Sequence, residues 1–323
     1  MNLSDLFLEI KDDMAQVEAL IHRELTTEIP LLNELAAYIL DSGGKRLRPA
    51  LVIYCARMFG GADARTYAAA GALEFLHTAT LLHDDVVDEA DTRRAKRAAR
   101  KVWGNSASVL VGDYLLATSF RNLTRLGNHD VLETISYTTT LMAKGEILQL
   151  IRSYDSATED DYMAIIINKT ACLFAAAAKI GAAFGDASAE QCEALYAYGN
   201  DIGIAFQIVD DALDYVEARD KVGKPLGIDL KERKVTLPLS RLLQVAAPAE
   251  REHLLAVLAK DEIEDADVLE VIALMRRHDV PAYTLGEARK YAERAQSHLD
   301  ALPDVHERQV LRDIARLVVE REF

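Results

Sequence analysis

No proline occurs between Pro49 and Pro225 of this 323-residue chain. A stretch that long without the residue that interrupts helices is open to successive uninterrupted helices. It is filled largely by Ala and Leu, with apolar residues three and four apart, the period of one helix face. Breaks are marked by Gly60-Gly61, Gly104-Asn105, Gly127-Asn128, Tyr154-Asp155-Ser156 and Gly185-Asp186,. Two-residue alternation over a strand length is hard to find, so the fold class is all-α. Residues 3–25 and 30–40 read as amphipathic helices ahead of the stretch. Residues 240–323 read as further amphipathic helices with ordinary charge pairing, a structural third. With no Ser/Gly/Pro-rich linker and no short internal repeat, one domain over residues 1–323 is the default.

Half of the residues are hydrophobic, enough for a sizeable core. The net charge of -15 and pI near 5.0 argue against nucleic acid, whose phosphates demand a basic face,. Cys55, Cys172 and Cys192 have neither C-x-x-C spacing nor a His partner and read as small buried residues in a reducing compartment,. The acidic N-terminus has no apolar run of signal-peptide type, and no uninterrupted apolar stretch approaches bilayer length. The expectation is a soluble cytoplasmic protein without a transmembrane segment.

Chemistry concentrates in Leu81-Leu82-His83-Asp84-Asp85-Val86-Val87-Asp88. On a helix, Asp84 and Asp88 lie on nearly one face, a turn apart. Their repulsion weakens the helix unless a divalent cation reverses it, and hard cations such as Mg²⁺ prefer carboxylate oxygen. The spacing recurs in Asp210-Asp211-Ala212-Leu213-Asp214, after the apolar run 204–209. The bland alternative is two solvated acidic helix ends; two copies, each beside buried-type residues, favour metal. His77, Thr80, Asp84 and Asp88 share a stripe, as do Gly203, Gln207, Asp210 and Asp214.

Basic residues gather around these acids. Asp41-Ser42-Gly43-Gly44-Lys45-Arg46-Leu47-Arg48-Pro49 places three cations beside a flexible turn, which suits a phosphate or an ordinary basic loop equally,. Six of the nine residues 93–101 are basic; the arginines nearest the acids suit an anion clamp, and the rest are solvated charge. Lys144-Gly145-Glu146 lies in a helix, and Lys169-Thr170 sits between apolar runs, where a lysine needs an anionic partner. Two further basic segments are 221–227, with Lys224, and 231–238, with Lys234. Nothing resembles a P-loop, a dinucleotide turn or a nucleophile triad. Carboxylate-held metal gripping an oligophosphate, with cations completing the grip, fits ionisation of a diphosphate from an allylic carbon.

Taken together, 43–49, 81–94, Gly145-Glu146, Lys169-Thr170, 206–215 and 234–238 resemble, in order, the trans-isoprenyl diphosphate synthases, closest to the long-chain bacterial, octaprenyl type. The resemblance implies a bundle of antiparallel helices around a deep central cavity, usually a homodimer. It implies Mg²⁺-dependent head-to-tail condensation of isopentenyl diphosphate with an allylic diphosphate, farnesyl or geranylgeranyl, and an octaprenyl-like product for quinone side chains. By position, Asp84, Asp88 and Asp210 would hold Mg²⁺, with Asp85, Asp211 and Asp214 supporting. Arg93, Lys169, Lys234 and Lys224 would contact the allylic diphosphate. Lys45, Arg48, His77 and Arg94 would hold isopentenyl diphosphate, and Thr170 and Gln207 would lie near the carbocation. Two departures stand out: Ala95 where the family usually has Gly, and Lys231-Glu232-Arg233 in place of an acidic-glycine turn.

Product length follows from Leu76, Ala79 and Thr80, the wall a turn or so before Asp84. Ala79 and Thr80 are small where short-chain relatives carry a bulky aromatic, so a long product is expected and Ala79→Phe should shorten it. Transient membrane association for product release is compatible with such a product. The alternatives are a farnesyl or geranylgeranyl synthase, a non-catalytic prenyl synthase subunit, a class I terpene cyclase, and a helical scaffold. The intact second acidic motif and the Gly-Gly-Lys segment argue against the cyclase, and both motifs being present argues against the subunit.

Overall fold

A computed structural model describes residues 3–40, 45–93, 96–154, 158–216 and 226–320. Arg94, Ala95, Lys224 and the two glycines before Lys45 lie outside the described residues. The fold is all-α, as the proline distribution predicts. The strands are two residues each, Thr92–Arg93 and Lys96–Arg97, paired antiparallel. The chain forms two compact units. One comprises Met1–Ser136, Ala176–Tyr196 and Ala301–Leu311; the other comprises Tyr137–Ala175, Ala197–Asp300 and Arg312–Phe323.

In the first unit, the helix Ala64–Val87 packs against Asn105–Arg125, Leu47–Arg57 and Lys11–Leu25. Its start is fixed by Asp63, which accepts from the Arg65 and Thr66 N–H groups, while the Thr66 hydroxyl accepts from the Asp63 N–H. That reciprocal cap satisfies donors a helix otherwise leaves open. Leu47–Arg57 is buried along nearly its whole length, with only Arg48 and Arg57 reaching solvent. Residues 3–25, expected as one helix, are two, Leu3–Glu9 and Lys11–Leu25, broken at fully buried Ile10.

The second unit packs Leu237–Val245, Pro248–Leu258 and Asp265–Arg277 around Leu239, Leu242, Leu254, Leu258 and Val271. A second apolar cluster of Tyr162, Ile165, Ile204, Ile208 and Val209 lies alongside the second acidic motif. Buried Asp201 accepts two hydrogen bonds from Arg294, both 2.6 Å, tying the helix Val280–His298 to Ala189–Leu213. The helical run Glu159–Phe184 corrects one expectation. By length and composition it is apolar enough to cross a membrane, but 61% of its most apolar window is buried within the protein, as in a core helix.

Candidate active site

The first acidic motif occupies the last turns of Ala64–Val87. Leu76, Thr78, Ala79, Leu82 and Asp85 are buried there, while His77, Thr80, Asp84 and Asp88 are partly exposed. The predicted stripe is therefore partly accessible along its length, on a helix whose Leu76, Ala79, Leu82 and Asp85 are packed. Of the three proposed wall residues, Thr80 shares that stripe; Leu76 and Ala79 have no exposed surface. The helix ends at Asp88, whose N–H donates to the Asp84 carbonyl at 2.8 Å. Glu89 then adopts a left-handed backbone, φ 49°, and Ala90 N–H reaches back to the Asp85 carbonyl at 3.0 Å. This turn closes the helix with the bonding pattern that usually employs glycine.

Asp85 lies about 100° around the helix from Asp84 and turns inward. Its Oδ1 accepts from Arg93 Nε at 2.7 Å and Nη2 at 2.6 Å, so the hairpin after the motif is pinned to the motif itself. Burial raises the Asp85 carboxyl, against the pull of Arg93. Its Oδ2 is buried and has no hydrogen-bond partner in the structure. Lys45 is exposed and Arg48 partly so, at the start of Leu47–Arg57.

The second unit assembles the other predicted residues. Between Glu159–Ile166 and Cys172–Phe184 the helix widens into a π-turn, Ile167–Ala171, which carries Lys169 and Thr170. Such turns are rare and concentrate at functional sites. Gly145 packs so closely that a Cβ would stand 2.5 Å from the Lys169 backbone nitrogen; at Gly203 a Cβ would stand 2.5 Å from the Ala171 Cα. Neighbouring helices thus press on the turn at two points where only glycine fits. Lys169 has the anionic partner its setting demands: it pairs with Glu146 and donates to Gln149 at 3.3 Å.

A partly buried chain of hydrogen bonds runs from the π-turn into the motif. Thr170 donates to Gln207 Oε1 at 2.9 Å, Gln207 Nε2 to Asp211 Oδ1 at 2.7 Å, and the Tyr162 hydroxyl to Asp211 Oδ2 at 2.7 Å. Both oxygens of Asp211 are therefore occupied within the protein. Burial pushes its carboxyl up to about 7, against those donated bonds. Asp214 accepts from the Asp229 N–H at 2.9 Å and the Ile228 N–H at 3.2 Å, folding the following loop back onto the motif. Burial raises Asp214 despite those bonds. Asp229 is held well above the usual carboxylate range, first by burial and then by the charges of Asp211 and Asp214. Asp210 is the partly exposed aspartate of the adjacent pair, opposite in exposure to Asp211.

The departure at Lys231-Glu232-Arg233 has a structural answer. Arg233 itself takes the left-handed conformation, φ 54°, that a glycine supplies at no cost,. Its guanidinium bonds the carbonyls of Leu258, at 3.0 Å, Lys260 and Asp261, at 3.3 Å, beyond the end of Pro248–Leu258. Lys234 follows, with its ammonium 2.6 Å from Glu232.

Asp84 and Asp88 in the first unit, and Asp210 in the second, each offer only hard oxygen donors on partly exposed side chains, a donor chemistry that fits Mg²⁺ and not a soft metal,. The buried, unbonded Asp85 Oδ2 beside two of them agrees with a cation-rich neighbourhood. A different group, His129, Asp130 and Glu133, brings its ligand atoms within 4.8 Å of one another, but all three are exposed and none belongs to either motif. Sequence reading missed Tyr162, Asp229 and Glu74. Only Glu74, one acid among Leu73, Phe75 and Leu76, carried a signal, since a carboxylate there requires a partner,.

An all-helical fold with these two acidic motifs and their attendant cations defines a prenyltransferase. The chain belongs to the polyprenyl synthetase family, whose profile matches residues 29–275. It is 38% identical to octaprenyl diphosphate synthase of Escherichia coli (strain K12), with all of both chains covered. A decaprenyl diphosphate synthase from Rhodobacter capsulatus superposes with TM-score 0.94 at 42% identity, covering 99% of each chain. A polyprenyl synthase from Caulobacter crescentus CB15, complexed with calcium and isoprenyl diphosphate, gives TM-score 0.94 at 37% identity over 100% of this chain and 98% of its own. A geranylgeranyl diphosphate synthase of Methanosarcina mazei is 34% identical over the full length of both chains, so the family membership leaves product length open.

Proposed function

We propose that the chain is a long-chain all-trans polyprenyl diphosphate synthase acting as one catalytic domain. It condenses isopentenyl diphosphate head-to-tail onto a farnesyl or geranylgeranyl diphosphate primer and releases an octaprenyl-like product for quinone side chains. The observation that carries this is the stripe His77, Thr80, Asp84 and Asp88, partly accessible on a helix whose neighbouring Leu76, Ala79, Leu82 and Asp85 are buried. Full-length similarity to octaprenyl and decaprenyl synthases supports the long product.

In this reading Asp84, Asp88 and Asp210 hold Mg²⁺. Bound there, the ions supply charge neutralisation for the departing diphosphate. Asp85 orients Arg93 toward the same anion, and Glu146 with Gln149 present Lys169 to it. Lys234 and Lys224 complete that grip; Lys45, Arg48, His77 and Arg94 receive isopentenyl diphosphate. Thr170 and Gln207, fixed by the chain that ends at Tyr162, set dipoles beside the carbocation,. Asp211 and Asp214 support the site by ordering Gln207 and the 227–229 loop. We assign the protein to the cytoplasm, with transient membrane contact when the product leaves. Homodimerisation is supported by the exposed Tyr137, Ile147, Leu150 and Ile151 on the helix His129–Ile151.

The test is incubation with isopentenyl diphosphate, farnesyl diphosphate and Mg²⁺ followed by product sizing. A product near eight isoprene units is expected, and Asp84→Ala should lower the rate by about 10²–10³-fold. A product stopping at geranylgeranyl length would favour the short-chain reading, which the Methanosarcina relative supports. No polymer from the chain alone would favour a subunit reading, consistent with a relative described as heptaprenyl diphosphate synthase component 2.

A further inference from the structure

Arg46 stands between two residues assigned to isopentenyl diphosphate, Lys45 and Arg48, yet its own side chain turns inward. Its backbone is left-handed, φ 45°, at the residue that precedes the helix Leu47–Arg57. From there Nη1 pairs with Glu74, and Nη2 donates to the Leu40 carbonyl at 3.0 Å. Leu40 is the last residue of the helix Pro30–Leu40. Glu74 is buried, 5% exposed, in the helix Ala64–Val87. It lies three residues before His77, one turn up the same helix.

One guanidinium therefore ties three pieces of chain together: the end of Pro30–Leu40, the basic segment, and the turn of the motif helix that leads into His77. An arginine can do this because its planar fork serves two acceptors in different directions at once; a lysine has a single charged atom. A buried carboxylate needs such a partner, so the pair has one stable arrangement. The left-handed backbone at Arg46, unfavourable for a side-chain-bearing residue, is consistent with a position fixed from outside the local sequence.

We propose that Arg46 and Glu74 form a positioning pair for isopentenyl diphosphate: neither touches the substrate, and together they set the spacing between Lys45 and Arg48 on one element and His77 on another. This rests on the reading that those three residues hold isopentenyl diphosphate. The pair acts on one substrate more than the other, since Glu74 lies one turn from His77, whereas Asp84 and Asp88 lie ten and fourteen residues beyond Glu74 on the same helix,.

The test is steady-state kinetics of Arg46→Lys, Glu74→Gln and the double variant, each substrate varied at saturating levels of the other. Both single variants are expected to raise KM for isopentenyl diphosphate about tenfold, because a displaced anion contact weakens binding without removing it. KM for the allylic substrate should stay within about twofold of wild type, and the double variant should be no worse than the poorer single one, as expected for a pair acting as a unit. Equal rises in both KM values, or additive effects in the double variant, would assign the pair a general structural role and overturn the proposal. If Glu74→Gln does not fold, Arg46→Lys, which keeps the charge, carries the same test. Lys45→Ala and His77→Ala separate the two levels. Unchanged KM for isopentenyl diphosphate in those variants overturns the substrate reading itself. A raised KM there, with Arg46 and Glu74 variants at wild-type values, overturns the positioning pair alone.

Discussion

The six aspartates of the two motifs do three different jobs. Asp84, Asp88 and Asp210 keep partly exposed carboxylates, Asp85 and Asp211 are spent on Arg93 and on Tyr162 with Gln207, and Asp214 holds backbone N–H groups. The spacing in the sequence tells which acids share a face; the inward turn of Asp85 and Asp211 is seen only in the structure,. The spacing carries no information about Asp214, because the loop that Asp214 binds folds back from residues 227–229. Two expectations belong at this scale. Glu89 occupies a left-handed position favoured by glycine, so Glu89→Gly should stabilise the protein by about 0.5–1 kcal/mol in urea unfolding,. Thr80 is the wall residue on the accessible stripe, so Thr80→Phe should shorten the product by at least one isoprene unit with less loss of stability than Ala79→Phe, which overpacks a fully buried site by about 1–3 kcal/mol,. Mass spectrometry of the products and thermal melts of both variants check this.

At the scale of elements, the helices were legible and the irregularities between them were not. Ala64–Val87 and Pro30–Leu40 match the apolar spacing closely. The π-turn Ile167–Ala171 has no sequence signature, since it depends on how tightly two other helices approach. The sequence marked Lys169 as needing an anion but not that Glu146 would supply it. Gly203, visible in the sequence as part of a polar stripe, packs against Ala171, next to the Thr170 that bonds Gln207 one turn further along the same helix. Gly203→Ala should therefore cost about 1–3 kcal/mol of stability and lower the condensation rate together with it, because the Cβ must push the turn away from Gln207. Denaturant unfolding and initial rates on the same preparation are the measurement; a rate loss without any stability loss would contradict the packing account.

Across the whole molecule, composition and proline distribution pointed to the helical fold that the structure has. They were silent about charge buried inside. Of the twelve tyrosines, Tyr54, Tyr67, Tyr162, Tyr215, Tyr283 and Tyr291 are all raised above the ordinary value. Hydrogen bonding to Asp13 pushes Tyr67 up to about 12, and burial does the same for Tyr283. A phenol raised in the folded state keeps its proton there longer than in the unfolded chain. Folded protein thus binds more protons above pH 10, and stability must fall as pH rises from about 10 toward 12. Absorbance at 295 nm should show these six phenols ionising only as the helical circular dichroism is lost. Their ionisation ahead of that loss would contradict the burial and hydrogen bonding described.

Arg233 gives the C-terminal third a reach that its plain amphipathic helices do not advertise. The backbone bend just before Lys234 is held by oxygen atoms that belong to residues 258–261. A chain shortened to residue 245 would keep every candidate ligand and lose the anchor that aims this lysine. Distal helices that touch no substrate thereby acquire a say in how firmly a pyrophosphate is gripped.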